Sequence, residues 1–298
     1  MADVQPFRAV RYTGAAGPLA DLVAPPYDAV TPAERASLFT RSPYNVVHLT
    51  LPDSAEEAGR LYRDWLDAGI LAREEAPAAW LMAEDYVGPD GVARERHGVV
   101  ASLAVEPYET GNILPHERTH PRIREERLRL LRATRVQLEP IFLLVDGELD
   151  LEAPERPPDL RADGARLWRL PDVDLAAVTG GRGLLIADGH HRYESAIEFG
   201  EETGPEGARI MALVVATTDS GLHVFPTHRV FSGRPDLAEA RAGETSHDLQ
   251  EALARLEEEP FTRSAAVAYR VGLVELVRGR EGELDVELVD RQDRKSVV

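Results

Sequence analysis

The sequence predicts an α+β fold with mixed sheets, and three observations carry that prediction. "AAWLMAEDYV" and "RHGVVASLAV" are apolar runs flanking the turn residues GPDG, which is the pattern of a β-hairpin. "EEAGRLYRDWLDAGIL" puts Ala58, Leu61, Tyr62, Trp65 and Leu66 on one face, which is the 3.6-residue period of an amphipathic helix. Hairpins and helices then follow one another without the strict strand-helix-strand alternation of a purely parallel sheet.

The 298 residues allow two ordinary domains or one large subdivided one. Three segments are expected: an N-terminal α+β segment over 1–110, a core over 111–231, and a C-terminal segment of helix and strands over 232–298. In the core, "PRIREERLRLLRAT" reads as a charged helix with Ile123, Leu128 and Leu131 on its apolar side. "PIFLLVDG", "ARLWRL", "LLIAD" and "RIMALVVATTD" read as strands, and the proline-rich "EAPERPPDLRADG" as a surface connection. The tail reads as one long acidic helix, near residues 235–259, followed by two or three apolar strands; that helix is available for packing within the chain or at a homodimer interface.

Composition narrows the chemistry. At 43% hydrophobic and 29% charged residues the chain is globular. No run approaches the length of a membrane span, and the N-terminus lacks the layout of a signal peptide, so a cytoplasmic protein without membrane partners is expected. The absence of cysteine removes disulfides, cysteine–zinc sites and thiol catalysis. A formal net charge of −18 argues against a nucleic-acid partner, because phosphate backbones are held mainly by lysine and arginine. It leaves room for a local cationic pocket, and Arg118, Arg122, Arg124, Arg127 and Arg129 cluster in sequence.

Four segments carry candidate site residues. In "LLIADGHHRYESAIEFG" a strand stops at Asp188-Gly189, and a helix is expected from about Arg192. Its free backbone N–H groups would bind an anion, with His190, His191 and Arg192 as further donors, or the turn is simply solvated. A zinc site there would need a third ligand from His116 or His120, and adjacent histidines in a turn point different ways. "LPHERTH" offers Glu117 as a general base, or else Glu117 and Thr119 merely decorate a helix start at Pro121. In "VAPPYDAVTPAE" the prolines force extended backbone and Thr31 caps a helix; Tyr27 and Asp28, with Asn45 of "RSPYNVVHL", either line a pocket or sit in rigid turns. "FPTHRVF" interrupts a strand with His228 and Arg229, a strand end or a second cationic donor.

Taken in order, PPYD, SPYN, HERT, IADGHHRYE and THRV resemble the bacterial and archaeal family known as domain of unknown function 1015, over about residues 4–232. The order "HE", helix, "PIFLLVDG", "LLIADGHHRYESAI" is similar to the nucleotide-binding core of the ParB/sulfiredoxin-like fold, and within it to the free L-serine kinase branch. That resemblance implies a kinase acting on free L-serine or a similar amino acid. Glu117 would be the base; Gly189, His190, His191 and Arg192, with His116 and Arg229, would hold nucleotide phosphates; and Asp188 would hold Mg²⁺. Tyr27, Asp28, Asn45, Thr119 and His228 would stand near the substrate, and the donor would be ATP, ADP or CTP. The stretch Glu148 to Arg182 replaces a short spacer of the kinases. Sulfiredoxin chemistry needs a cysteine, and ParB proteins a DNA-reading motif; this sequence offers neither. The alternative is a nucleotide-binding or nucleotide-hydrolysing regulatory module with no small-molecule acceptor.

Overall fold

The computed structural model describes residues 1–225, 244–246, 248–258, 263–270 and 273–281, and the chain separates into two compact units, Met1–Phe225 and Pro226–Val298. In chain order the first unit contains β1 (Val4–Gln5), β2 (Val10–Tyr12), α1 (Leu19–Leu22), α2 (Pro32–Arg41), α3 (Val47–Thr50), α4 (Ala55–Asp67) and β3 (Leu71–Arg73). Then come the hairpin β4 (Ala79–Val87) and β5 (Ala93–Ala104), short β6 (Ile113–Leu114), α5 (Pro121–Thr134) and β7 (Ile141–Val145). It ends with β8 (Leu160–Ala162), β9 (Ala165–Leu170), α6 (Leu175–Thr179), β10 (Leu184–Asp188), α7 (His190–Thr203) and β11 (Arg209–Ala216).

A mixed sheet of order β6-β10-β7-β11-β5-β4-β9-β8 organises this unit, with β1 paired to β5. Only β6/β10 and β7/β11 run parallel; the other pairs are antiparallel. The architecture is therefore α+β. The expected boundary at residue 110 does not hold: β5 pairs with β11 and β4 with β9, so one sheet interleaves both segments. Part of the supposed surface connection is also strand. Leu160–Ala162 pairs with β9 across Asp163 and Gly164, both at positive φ, the backbone that a two-residue hairpin turn requires.

The sheet buries one face completely. Val99, Leu103, Ile141, Leu143, Leu184, Ile186, Ile210 and Val214 alternate inward and meet Leu128 and Leu131 of α5 and Tyr193, Ala196 and Phe199 of α7. A second cluster sits on the outer side of α5: Leu130 packs with Leu22, Leu49, Ala58, Tyr62 and Trp65, so the α4 stripe seen in the sequence lands on α5. Gly59 makes that crossing possible, since a Cβ there would run into the backbone carbonyl of Ala133. Among the described residues no helix is long and apolar enough to cross a membrane.

In the second unit β12 (Glu244–Ser246), β14 (Leu273–Glu281) and β13 (Arg263–Arg270) form a three-stranded antiparallel sheet, with α8 (Leu249–Glu257) alongside. Within the described residues this corrects the expected acidic helix near 235–259, of which 235–243 lie outside them. Glu244–Ser246 is a strand, and the helix starts only after Asp248, whose carboxylate accepts from the Gln250 and Glu251 N–H groups as an N-cap.

Gly59→Ala is expected to force α4 away from α5 and cost about 1–3 kcal/mol. Chemical denaturation of the variant beside the parent protein measures it.

Candidate functional site

The site begins with a turn that only glycine can make. β10 ends at Asp188, and Gly189 adopts φ +99 as the N-cap of α7. A Cβ at Gly189 would lie 2.6 Å from Ile141 Cγ2, so both backbone conformation and space exclude a side chain. Because Gly189 turns the chain so sharply, the helix starts at His190 rather than near Arg192. No side chain caps this N-terminus, which leaves the first backbone N–H groups of a 14-residue helix without an intrahelical or capping partner.

Strand β6 delivers the second half. Ile113 and Leu114 pair in parallel with Leu184 and Leu185, so the loop after β6 runs beside the end of β10 and the start of α7. Side chains from α7 then hold that loop. The His116 N–H donates to His190 Nε2 at 3.2 Å, and the His120 N–H to His191 Nε2 at 2.9 Å. Thr119 Oγ1 donates to Glu194, which Arg124 also contacts at 3.3 Å. His116 donates from Nδ1 to the Ile186 carbonyl at 2.6 Å, which leaves its Nε2 as the nitrogen with the lone pair.

These contacts assign the tautomers. A nitrogen facing a backbone N–H must accept, so neutral His190 and His191 carry their protons on Nδ1. His190 is 1% exposed, and its Nδ1 lies 3.2 Å from Glu117 Oε1, off the line of a good hydrogen bond and with no other partner. Burial above all, then the neighbouring His116 and His191, pulls the His190 pKa down to about 4, so the ring is neutral at pH 7. Ligand atoms of His116, Glu117 and His190 lie within 4.8 Å of one another. The paired histidines thus tie the loop to the helix with Nε2, and neither spends that nitrogen on a ligand.

Asp188 and Arg192 are placed differently from the sequence expectation. They pair with each other, and Arg192 also donates to the Pro140 carbonyl. The Arg192 side chain is only 10% exposed and lies 5.8 Å from the Tyr27 ring, which also faces Arg127 at 4.1 Å. Asp188 is outside the His116–Glu117–His190 group. PPYD therefore approaches the turn through Arg192: the Tyr27 N–H donates to Glu139 Oε1 at 3.0 Å, and Asp28 acts electrostatically on both. Burial pushes the Glu139 carboxyl up, with Arg192 and the Tyr27 N–H pulling the other way. Glu139, Arg127, Arg192, Gln137 and Ser195 line a small cavity of about 40 Å³. Glu139 lies outside every motif singled out in the sequence, and Arg127 was visible only as part of a basic run.

Asn45 does not line a pocket. It is fully buried; its amide donates to the Asp21 and Val23 carbonyls and accepts from the Val47 N–H, so it fixes the segment leading into PPYD. Several arginines of the run pair with glutamates at the surface, Arg122 with Glu126, Arg124 with Glu194 and Arg129 with Glu125. His228 and Arg229 lie outside the described residues.

His190 gives a pH signature. Its folded pKa, about 4, is below the unfolded value of about 6.5, so between these the unfolded chain takes up a proton that the folded one refuses. Stability is therefore expected to be unaffected by this group above pH 6.5, to fall from there to pH 4, and to level off below. The component is on the order of 3 kcal/mol. Denaturant melts across that range, compared with His190→Asn, should show a shallower slope in the variant.

No curated protein and no solved structure matches the chain. A family model described as a protein of unknown function, DUF1015, matches residues 4–287. That span includes β12 to β14 as far as Glu281, and so reaches well past the last of the sequence motifs. By this match across nearly its whole length, the chain belongs to the DUF1015 family.

Proposed function

We propose that the protein is a cytoplasmic small-molecule kinase, transferring a phosphoryl group from ATP, ADP or CTP to the hydroxyl of free L-serine or a similar amino acid. The observation that carries this reading is the placement of one carboxylate, Glu117, beside the uncapped N-terminus of α7. Phosphoryl transfer asks for positioning and charge stabilisation more than for covalent help from the protein. The N–H groups at the start of α7 would hold phosphate oxygens, and glycine at 189 lets a phosphate approach the backbone closely. Glu117 would take the hydroxyl proton as the hydroxyl oxygen attacks phosphorus, and the nucleotide would leave with the electron pair of the broken P–O bond. His116, whose ligand atom lies within 4.8 Å of that of Glu117, would assist through Nε2. Thr119 holds the loop through Glu194 and so positions Glu117 rather than meeting substrate. The net charge of −18 fits a small ligand better than a nucleic acid.

Asp188 suits the Mg²⁺ such a reaction uses. One carboxylate oxygen bonds Arg192, the other has no partner among the described residues, and the side chain is 55% exposed. Mg²⁺ takes one or two carboxylates together with phosphate oxygens, and bound there it would neutralise charge on the transferred group. A second reading, a nucleotide-binding or nucleotide-hydrolysing regulatory module without an acceptor, is favoured by the engagement of Arg192 with Asp188 and Pro140, which leaves backbone groups as the main phosphate donors.

Glu117→Gln is expected to lower serine-dependent turnover at least about 100-fold, the usual worth of a general base, while nucleotide binding persists. Turnover assays with ATP, ADP or CTP, L-serine and Mg²⁺, beside thermal shifts with nucleotide alone, test both halves. Unchanged turnover removes Glu117 from the mechanism. Stabilisation by nucleotide, with no turnover on any added amino acid, favours the regulatory module.

A further inference from the structure

We propose that His116, Glu117 and His190 form a three-ligand site for a divalent cation of the zinc class, separate from the Mg²⁺ that accompanies a nucleotide. Their ligand atoms already lie within 4.8 Å of one another. Bonds of 2.0–2.1 Å in a tetrahedron put neighbouring ligands about 3.4 Å apart. The His190 Nδ1 to Glu117 Oε1 separation, 3.2 Å, is close to that edge length. The remaining contacts need to close by at most about 1.4 Å. His116 and Glu117 sit on an exposed loop between β6 and α5, outside any helix or strand, which leaves room for such a movement.

Two further observations point to a ligand. His190 is 1% exposed, yet its Nδ1, 3.2 Å from Glu117 Oε1, has no hydrogen-bond partner. Buried polar atoms are nearly always satisfied, so one left without a partner needs a reason, and an ion between it and the carboxylate supplies one. His116 is oriented as a ligating histidine usually is: one ring nitrogen donates to a backbone carbonyl, that of Ile186, and the other is left for the ion. Binding has a cost as well. With the ion on Nδ1, the single ring proton of His190 moves to Nε2, and the 3.2 Å contact from the His116 N–H is given up.

The ligand set selects the class of ion. Two imidazoles and one carboxylate suit zinc and its neighbours, whereas Mg²⁺ prefers oxygen ligands and keeps its waters. Three protein ligands leave a fourth position toward the exposed loop side, open to water or an anion. If the kinase reading holds, and this part rests on it, Glu117 cannot be both base and ligand. A zinc-class ion would then switch phosphoryl transfer off.

The test uses the full chain stripped of metal, titrated with Zn²⁺ against a chromophoric chelator. One equivalent is expected, with affinity at least 10-fold weaker in Glu117→Gln and in His116→Gln, and unchanged in His97→Gln, which alters a histidine of β5. Circular dichroism checks that the variants are folded; both altered positions are exposed, so the fold should persist. Absence of zinc binding, or tight binding that survives both substitutions, overturns the site. For regulation, one equivalent of Zn²⁺ should lower Mg²⁺-dependent turnover at least 10-fold, and undiminished turnover with the site filled overturns that part. Zinc held by these residues in a protein that never phosphorylates L-serine leaves the metal site standing and removes the kinase reading instead.

Discussion

Ile113 and Leu114 run parallel to Leu184 and Leu185, and this two-residue pairing at the edge of the sheet decides what the candidate site can be. Parallel direction means that both strands point their C-terminal ends the same way, so the loop carrying His116 to His120 and the turn at Asp188-Gly189 emerge together. An antiparallel strand in the same place would have put Glu117 at the opposite end of β10. Open sheets commonly bind ligands beyond the carboxyl ends of their strands for this reason.

So short a strand cannot hold a loop by itself, and the start of α7 supplies the rest. His190, His191 and Glu194 fall on the side of the helix that meets the loop, and they bind its residues 116, 120 and 119. Two of these three contacts use histidine as an acceptor, which requires the neutral ring. Burial guarantees that for His190 by disfavouring its charged form. The same burial leaves Nδ1 with its face to Glu117 and no good partner. A loop anchor and a chemically available nitrogen are thus two ends of one imidazole.

Much of this was legible in the sequence, for identifiable reasons. The α4 and α5 stripes, the β4–β5 hairpin and the apolar runs of β7, β10 and β11 all carry their own periodicity, and the structure has those elements. Glu117 and DGHHR stood out as polar residues at element ends, and the structure brings them together. What local pattern could not show was pairing at a distance. The sheet joins β5 to β11 and β4 to β9, so a boundary at residue 110 looked natural along the chain and is absent in space. Charge misled once: an acidic stretch looked helical where Glu244–Ser246 lies in a sheet. Asn45 stayed open between a pocket and a rigid turn because nothing in a sequence tells a buried amide from an exposed one.

The stacking of Tyr27 near Arg192 bears on how the protein reaches its folded state. The Asp188–Arg192 contact spans four residues, and a nascent turn could make it alone. Tyr27 comes from the other end of the first unit, and its contacts to Glu139 and Arg127 are likewise distant in sequence. Closing such long loops costs chain entropy before any contact offsets it, and topologies rich in them fold slowly. On a ribosome, the PPYD segment emerges early, well before Arg127 and Glu139, and waits for nearly the whole unit before Arg192 joins them. The neighbourhood of the Asp188-Gly189 turn is therefore completed late, and a chain stalled or cut short before α7 would leave Tyr27 and Arg127 without Arg192 and the helix that carries it.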